Sequence, residues 1–222
     1  MTGDNYHAPR RCLKEPIPEI FEAASRLSEA VDAHLAGDRG RADHLIREAD
    51  MPPIGDWVLP LLGSDQQFPG RAADVRFRQV SGAPATLPKA DRIPARMPTA
   101  AQKADLIALY GYNCAFCGIP LVTAEVRKAL TAAYPEAAYW SATGACHAAL
   151  LCMWLQFDHV LPHSRGGDNS LSNILVTCSG CNYGRTSVGI AYTLEEVGLL
   201  DPRLTPPTRT DWDGLQRLLR SS

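Results

Sequence analysis

The sequence predicts an α+β fold, in which helices surround a small β-hairpin unit that is clamped by four cysteines. Three observations lead to this prediction. Apolar residues recur at helical spacing in the first third of the chain. Two short apolar runs, residues 155–160 and 174–176, are bounded by turn-forming residues, as strands are. Two Cys-x-x-Cys pairs begin at Cys114 and Cys178, and this spacing is typical of metal ligands.

The chain has 222 residues, a net charge of −2 and 45% hydrophobic residues, which is the composition of a soluble globular protein. No apolar run approaches the roughly 18 residues that cross a bilayer, and residues 1–11 lack the apolar stretch of a secretory signal. We therefore expect a cytoplasmic protein, in which its seven cysteines are reduced. The slight negative charge excludes nucleic-acid binding by bulk electrostatics, so contact with a polyanion needs a local patch, metal ions or a partner.

Residues 1–63 form the first predicted region, and it is helical. Apolar residues follow helical spacing within residues 16–36, and Asp38 caps a second helix that ends before Pro52. Residues 54–62 add a short apolar piece. The region has no catalytic signature, so we expect a helical support for the C-terminal half, with a recognition or oligomerisation surface as the alternative.

Residues 64–98 form the second region, which is rich in Pro and Gly and has no periodicity, as is typical of a long linker. Basic residues outnumber acidic ones in this segment. They are Arg71, Arg76, Arg78, Lys89, Arg92 and Arg96. Two interpretations stay open: an arm along a phosphate backbone, and a solvated tether whose charges pair with the acidic N-terminal helices.

Residues 99–200 form the third region. Thr99 is a good N-cap for a helix over residues 100–110, and another helix is predicted between residues 123 and 134. Residues 193–196 have a capping-box pattern that predicts one more short helix. The last region, residues 201–222, is a proline-rich strap followed by a helix over residues 211–220.

The two Cys-x-x-Cys pairs predict a structural zinc site. Cys114, Cys117, Cys178 and Cys181 provide four thiolates, which close a tetrahedral coordination sphere and exclude a catalytic role for the ion. A redox dithiol and unrelated thiols are the alternatives. Cys117 and Cys178 are 61 positions apart, much farther than in a simple zinc ribbon, so a folded segment must lie between the pairs.

The stretch of residues 157–185 carries the densest motif. It contains Asp158-His159, Gly166-Gly167, Asn173 and Cys178-x-x-Cys181-Asn182. With the upstream cysteine pair, the chain resembles the HNH endonucleases, the ββα-metal family, in the version with a four-Cys zinc site. The resemblance covers residues 114–185. The last motif position holds Asn where the family name has His, a variation that the family itself uses.

The resemblance implies a hairpin over residues 156–160 and 173–177, followed by a helix that starts near Cys178. It implies that His159 is the general base, since a neutral imidazole takes a proton near neutral pH. Asp158 and Asn182 would bind Mg²⁺ or Mn²⁺ through oxygen atoms. A regular strand would point Asp158 and His159 to opposite faces, so both would reach one site only through a bend or bulge. Asn173 would hold the loop that orients the base.

Three further residues are candidates for contact with nucleic acid. His163 could bind a phosphate or a metal, although a loop histidine that caps backbone groups is the favoured interpretation. Arg185 could bind a phosphate or stabilise transition-state charge, and a salt bridge is the equal alternative. Arg165, beside the glycine pair, is a weaker candidate of the same kind.

Residues 120–155 are longer than the connection that is usual in the family. A second metal site could be imagined from Cys146, His147 and Cys152, but their spacing is not a recognised knuckle. A helical cover that buries small apolar residues is the better interpretation.

The leading functional hypothesis is a metal-dependent endonuclease that acts on DNA, expected to be double-stranded, with a role in phage defence or restriction suggested by family analogy alone. The competing hypothesis is a zinc-stabilised nucleic-acid-binding or scaffold domain without catalysis. A protein partner or a homodimer is compatible with either hypothesis.

Overall fold

A computed structural model describes residues 9–62, 77–141, 144–187 and 189–221, and these form the α+β fold that the sequence predicts. The helices are α1 (Pro18–Leu35), α2 (Arg39–Glu48), α3 (Pro52–Leu62), α4 (Ala100–Tyr110), α5 (Ala124–Ala133), α6 (Ala148–Cys152) and α7 (Ser179–Tyr183). The strands are β1 (Gln156–His159), β2 (Ile174–Thr177), β3 (Thr186–Ser187) and β4 (Ile190–Ala191). β1 pairs with β2 and β3 with β4, both antiparallel. Among the described helices, none is long and apolar enough to span a membrane.

Side-chain caps explain where several helices begin. The Asp38 side chain accepts a hydrogen bond from the Arg41 N–H at the start of α2. Thr99 and Gln102 form a reciprocal capping box at the start of α4, and Thr123 caps α5. These helices are confirmed at the positions that the sequence predicts.

The N-terminal helices share their core with the hairpin region. α3 packs against α6 and α7, and its Trp57 and Leu61 lie against Gly180 of α7. A Cβ on Gly180 would lie 2.8 Å from Leu61 Cδ1, closer than van der Waals contact allows. The glycine therefore permits the close approach that fixes α7, with Asn182, against the helical region.

Residues 77–98, here called the arm, pack against the loop that follows β1 and against the turn near residue 196. Phe77 stacks on Tyr192 with ring centroids 3.9 Å apart, and the Arg78 N–H donates to the Glu196 carbonyl at 2.9 Å. The Leu87 N–H donates to the Ser164 carbonyl at 2.8 Å. These contacts are with the C-terminal half and not with the acidic N-terminal helices. Arg71 and Arg76 lie outside the described residues.

Two predicted C-terminal helices are wrong. Thr193 and Glu196 do form the hydrogen bonds of a capping box, but the segment is a turn that ends at Gly198, whose φ is +67°. The helix predicted from residue 211 is replaced by a 3-10 helix at Gln216–Ser221. Gly214 and Leu215 both have positive φ, which prevents a helix from passing through them.

The two ends of the long connection over residues 120–155 meet. The Val122 N–H donates to the Met153 carbonyl at 2.8 Å, and the Leu155 N–H donates to the Val122 carbonyl at 3.0 Å. Inside the segment, His147 is buried: Nε2–H donates to the Ile46 carbonyl, while Nδ1 accepts from the Leu150 N–H. Burial lowers the pKa of His147 and keeps it neutral. This histidine therefore caps α6, as a helical cover would require.

Candidate active site and cysteine cluster

β1 and β2 bring the Asp-His pair to the end of a short hairpin. Asp158 lies opposite Leu175 and His159 opposite Ile174, in a register without a bulge from Gln156 onward. Side chains alternate between the faces of such a ladder, so Asp158 and His159 leave opposite faces. Their contacts diverge accordingly, as described below. The bend that would bring both residues to one site does not occur within β1, and the backbone bends only from Val160 onward, directly after His159.

The four cysteines of the two pairs form one cluster. Their sulfur atoms all lie within 4.8 Å of one another, and Cys117 Sγ is 3.7 Å from Cys178 Sγ. Two thiolates that share a tetrahedral zinc ion, each about 2.3 Å from it, lie about 3.8 Å apart, so the donor set fits this ion. In the part of the chain that the structure describes, this is the one group of at least three metal-ligating side chains. The alternative site at Cys146, His147 and Cys152 does not form.

Backbone hydrogen bonds join the cluster to the hairpin. The Ala115 N–H, inside the first cysteine pair, donates to the Val176 carbonyl of β2 at 2.8 Å. Cys178 follows β2 directly and is the N-cap of α7, where its sulfur accepts from the Cys181 N–H at 3.4 Å. A metal ion at the cysteines would therefore fix the end of β2 and the start of α7 together.

Asp158 is buried and paired with Arg185. Arg185 Nη1 donates to Asp158 Oδ2 at 2.6 Å, and the side chains are 3% and 10% exposed. Burial raises the pKa of Asp158 to about 6, because the loss of hydration outweighs the attraction of the guanidinium. Arg185 Nη2 also donates to the carbonyl oxygens of His159, Val160 and Tyr192. Of the two interpretations of Arg185, the salt bridge is the contact that forms.

Asn182 lies on the same side of the hairpin as Asp158. Its amide nitrogen is 3.4 Å from Gln156 Oε1, and Gln156 and Asp158 are two positions apart on β1. Because the amide nitrogen makes this contact, Oδ1 is the atom left to bind a cation. Asp158 and Asn182 thus offer oxygen atoms to one face, although Asp158 Oδ2 is engaged by Arg185. The oxygen donors fit a hard cation.

His159 contacts a different set of residues. Its Nε2 is 3.0 Å from Asn169 Oδ1, and its ring lies edge-on to His163, with centroids 5.8 Å apart. Asn169 Nδ2 donates to two carbonyl groups of the arm, at Ala95 and Met97. Asn169 Oδ1 must therefore accept from His159 Nε2–H, which leaves Nδ1 as the nitrogen that can take a proton.

The surroundings of His159 keep its imidazole neutral. Burial lowers the pKa of His159, the hydrogen bond with Asn169 opposes this, and electrostatic repulsion from the nearby side chains of His163, Arg96 and Arg185 lowers the pKa further. A neutral imidazole is the form that a general base requires.

The loop after β1 is held by Asn173. Its Oδ1 accepts from the Leu161 N–H at 2.9 Å, and its Nδ2 donates to the carbonyls of Leu161 and Asp168. Gly167 lies in the same loop, and a Cβ there would be 1.8 Å from the Leu161 carbonyl oxygen. The loop can close only because this position is glycine.

The remaining predicted nucleic-acid contacts are occupied by protein groups. Arg165 is buried, and its Nη1 donates to both carboxylate oxygens of Glu196, at 3.0 and 2.8 Å. His163 Nε2–H donates to the Ile93 carbonyl at 2.7 Å. This agrees with the favoured interpretation of His163 as a loop histidine that caps backbone groups. Contact of either residue with nucleic acid stays a prediction.

The sequence interpretation missed two residues of this site. Asn169 is the partner of His159, and Glu196 is the partner of Arg165 from 31 positions away. Asn169 follows the glycine pair closely and could have been noticed as a polar loop residue, but only the fold shows that it contacts His159.

Comparison with known proteins supports the family prediction over one segment. Residues 145–187 match the family model described as HNH endonuclease, so the family predicted from the motif is confirmed there. The matched segment contains α6, both strands of the hairpin, α7 and the second cysteine pair. No curated protein and no solved structure matched the chain.

Proposed function

We propose that this protein is an HNH endonuclease that hydrolyses DNA phosphodiester bonds, with His159 as the general base and with Asp158 and Asn182 as the ligands of Mg²⁺ or Mn²⁺. One observation carries the proposal: within the matched segment, the hairpin that holds His159 is joined to α7, which holds Asn182. The cysteine cluster at the base of α7 is proposed to hold a structural zinc ion.

His159 would take a proton from the attacking water through Nδ1, while Asn169 holds Nε2–H and so fixes the tautomer. A divalent cation at Asp158 and Asn182 would supply stabilisation of the negative charge on the leaving 3′ oxygen. Asp158 Oδ1 is the oxygen available for that role while Oδ2 accepts from Arg185. Asn173 and Arg185 would act as positioning residues, because Arg185 binds the backbone carbonyl of His159 and Asn173 binds the backbone of Leu161, two residues farther along the chain.

A second candidate function is a zinc-stabilised nucleic-acid-binding domain without catalysis. The buried pair of Asp158 and Arg185 favours it, because a carboxylate neutralised by a guanidinium is a weaker ligand for a cation. The double-stranded target, a protein partner and a role in phage defence or restriction belong to the proposal and rest on family analogy.

Cleavage of supercoiled plasmid tests the proposal. Wild type, His159→Ala and the matched control His44→Ala are compared in Mg²⁺, in Mn²⁺ and in chelator; His44 is an exposed histidine of α2. We expect metal-dependent cleavage that falls about 10²- to 10⁴-fold in His159→Ala and is unchanged in His44→Ala. Equal activity of wild type and His159→Ala would contradict the assignment of the base. DNA binding without cleavage by wild type under every metal would favour the second candidate.

Elemental analysis tests the metal assignment separately. We expect one tightly held zinc ion per chain and a second, exchangeable requirement for Mg²⁺ or Mn²⁺ in cleavage. Purified protein that is folded and free of zinc would contradict the structural site.

A further inference from the structure

We propose that Arg96 is a phosphate-binding residue of the candidate active site, and that Asn169 is the positioning residue that holds it beside His159. The inference rests on the proposed nuclease function and names a contact through which the site would bind a DNA backbone phosphate.

Asn169 binds the arm on both sides of Arg96. Its Nδ2 donates to the carbonyl oxygen of Ala95 at 2.7 Å and to that of Met97 at 3.1 Å. Its Oδ1 lies 3.0 Å from His159 Nε2. One side chain therefore contacts both the base and the backbone that flanks Arg96, so the backbone of Arg96 is fixed close to the imidazole.

The segment that carries Arg96 is stiff. Pro94 and Pro98 flank it, and a residue that precedes a proline is restricted to extended conformations. His163 Nε2–H holds the start of the segment through the Ile93 carbonyl at 2.7 Å. Little backbone entropy would be lost when Arg96 binds a ligand, because its backbone is already ordered.

The Arg96 guanidinium is available, whereas those of the two predicted arginines are not. Arg96 is exposed and has no hydrogen-bond or ion-pair partner among the residues that the structure describes. Arg165 is bound by Glu196 and Arg185 by Asp158. The acidic residue of the loop, Asp168, accepts hydrogen bonds from Ser170 instead. A guanidinium beside the base can bind phosphate oxygens in a bidentate way.

The test measures binding of a short fluorescein-labelled DNA duplex by fluorescence anisotropy in a salt series, with Ca²⁺ in place of Mg²⁺. The variants are Arg96→Ala, Arg96→Lys and the matched control Lys89→Ala, which removes one exposed positive charge from the same arm. We expect Arg96→Ala to weaken binding about tenfold and to reduce the slope of log affinity against log salt by about 1. Arg96→Lys should retain the slope and part of the affinity, because it keeps the charge and loses the bidentate geometry.

Equal losses in Arg96→Ala and Lys89→Ala would overturn the proposal, since they would indicate general charge attraction. So would wild-type protein that binds no duplex. DNA binding that depends on Arg96, without cleavage by wild type, would sink the nuclease function and leave the phosphate contact intact. Metal-dependent cleavage that is unchanged in Arg96→Ala would support the nuclease function and overturn the phosphate contact of Arg96.

A double-mutant cycle tests the positioning role of Asn169. If Asn169 acts through Arg96, the Asn169→Ala and Arg96→Ala losses in duplex affinity should be strongly non-additive. ¹⁵N spectra of the histidine side chains add a readout without DNA. They should show His159 as the Nε2–H tautomer in wild type and a tautomer mixture in Asn169→Ala. Additive losses, or an unchanged tautomer, would refute the role.

Discussion

Arg185 links β1 of the candidate active site to the backbone at Tyr192. Its removal should be severely destabilising. The side chain is 3% exposed and donates four hydrogen bonds, to the Asp158 carboxylate and to three carbonyl oxygens. In Arg185→Ala the carboxylate would stay buried without its partner, and the carbonyl oxygens would lose their donor. Both changes raise the free energy of the folded state and leave that of the unfolded state unchanged.

The magnitude follows from these contacts. Breaking a buried ion pair by removing one partner costs about 3–5 kcal/mol. Each carbonyl left unsatisfied adds about 1–3 kcal/mol where water cannot reach it. We therefore expect Arg185→Ala to lower the free energy of unfolding by at least about 4 kcal/mol, a large part of the roughly 5–15 kcal/mol that is typical of a domain. Arg185→Lys keeps the charge and should lose about half as much.

Urea denaturation followed by tryptophan fluorescence, in excess zinc, measures this loss. Arg209→Ala is the matched control, because Arg209 is exposed and also donates to carbonyl groups, those of Ala108 and Leu109; we expect a change within about 0.5 kcal/mol. A double variant, Arg185→Met with Asp158→Leu, removes both charges and should regain most of the stability without regaining cleavage. If Arg185→Ala costs less than about 1 kcal/mol, the argument from buried contacts is refuted.

Three further predictions concern the cysteine cluster, the loop and its supporting ion pair. Cys117→Ser should lose zinc by elemental analysis and unfold at a lower temperature by circular dichroism, since structural zinc contributes on the order of 10 kcal/mol; unchanged melting would contradict a structural ion. Gly167→Ala should lower the free energy of unfolding by about 1–3 kcal/mol and abolish most of the cleavage, because its Cβ would overlap the Leu161 carbonyl. Gly40→Ala in α2 is the control, since this position has room for a Cβ, and it should be neutral or stabilising. Burial opposes ionisation of Glu196, but hydrogen bonds from Thr193 and Arg165 outweigh it and lower its pKa. The stability from Glu196 should therefore be complete above an unfolded pKa of about 4.3 and be lost as the pH falls through the lower folded value. As the pH is lowered into the acidic range, the urea midpoint of Glu196→Gln should fall less steeply than that of wild type. An equal fall in both proteins would refute the assignment.

Local signals in the sequence predicted much of the fold. Thr99 and Thr123 fix helix starts through hydrogen bonds to residues three positions away, so neighbouring sequence suffices to find them. The hairpin and the four-Cys cluster were also predictable, because short apolar runs between turn residues and Cys-x-x-Cys spacing are local patterns. The same local logic failed at residues 193–196, where the capping hydrogen bonds form but Gly198 ends the turn before a helix can start.

The partners of the charged site residues could not be predicted from local patterns. Arg165 meets Glu196 and Asp158 meets Arg185 across 31 and 27 positions, and many arginines and carboxylates in the chain could have paired instead. Only tertiary packing selects among them, because the alternatives have equal charge. The arm is the clearest case: its composition suggested a linker, while its hydrogen bonds to His163 and Asn169 depend on a loop some 70 positions away.

These hydrogen bonds to the arm have an evolutionary consequence. His163 and Asn169 bind the arm only through the carbonyl oxygens of residues 93, 95 and 97. Every amino acid has a carbonyl group, so the side chains of these positions can be exchanged without removing the acceptors. Sequence drift in the arm would then change the side chains near His159 while the tautomer of His159 stays fixed. The arm is thus a place where the groups near His159 can diverge among descendants of this protein while His159 and Asn169 stay the same.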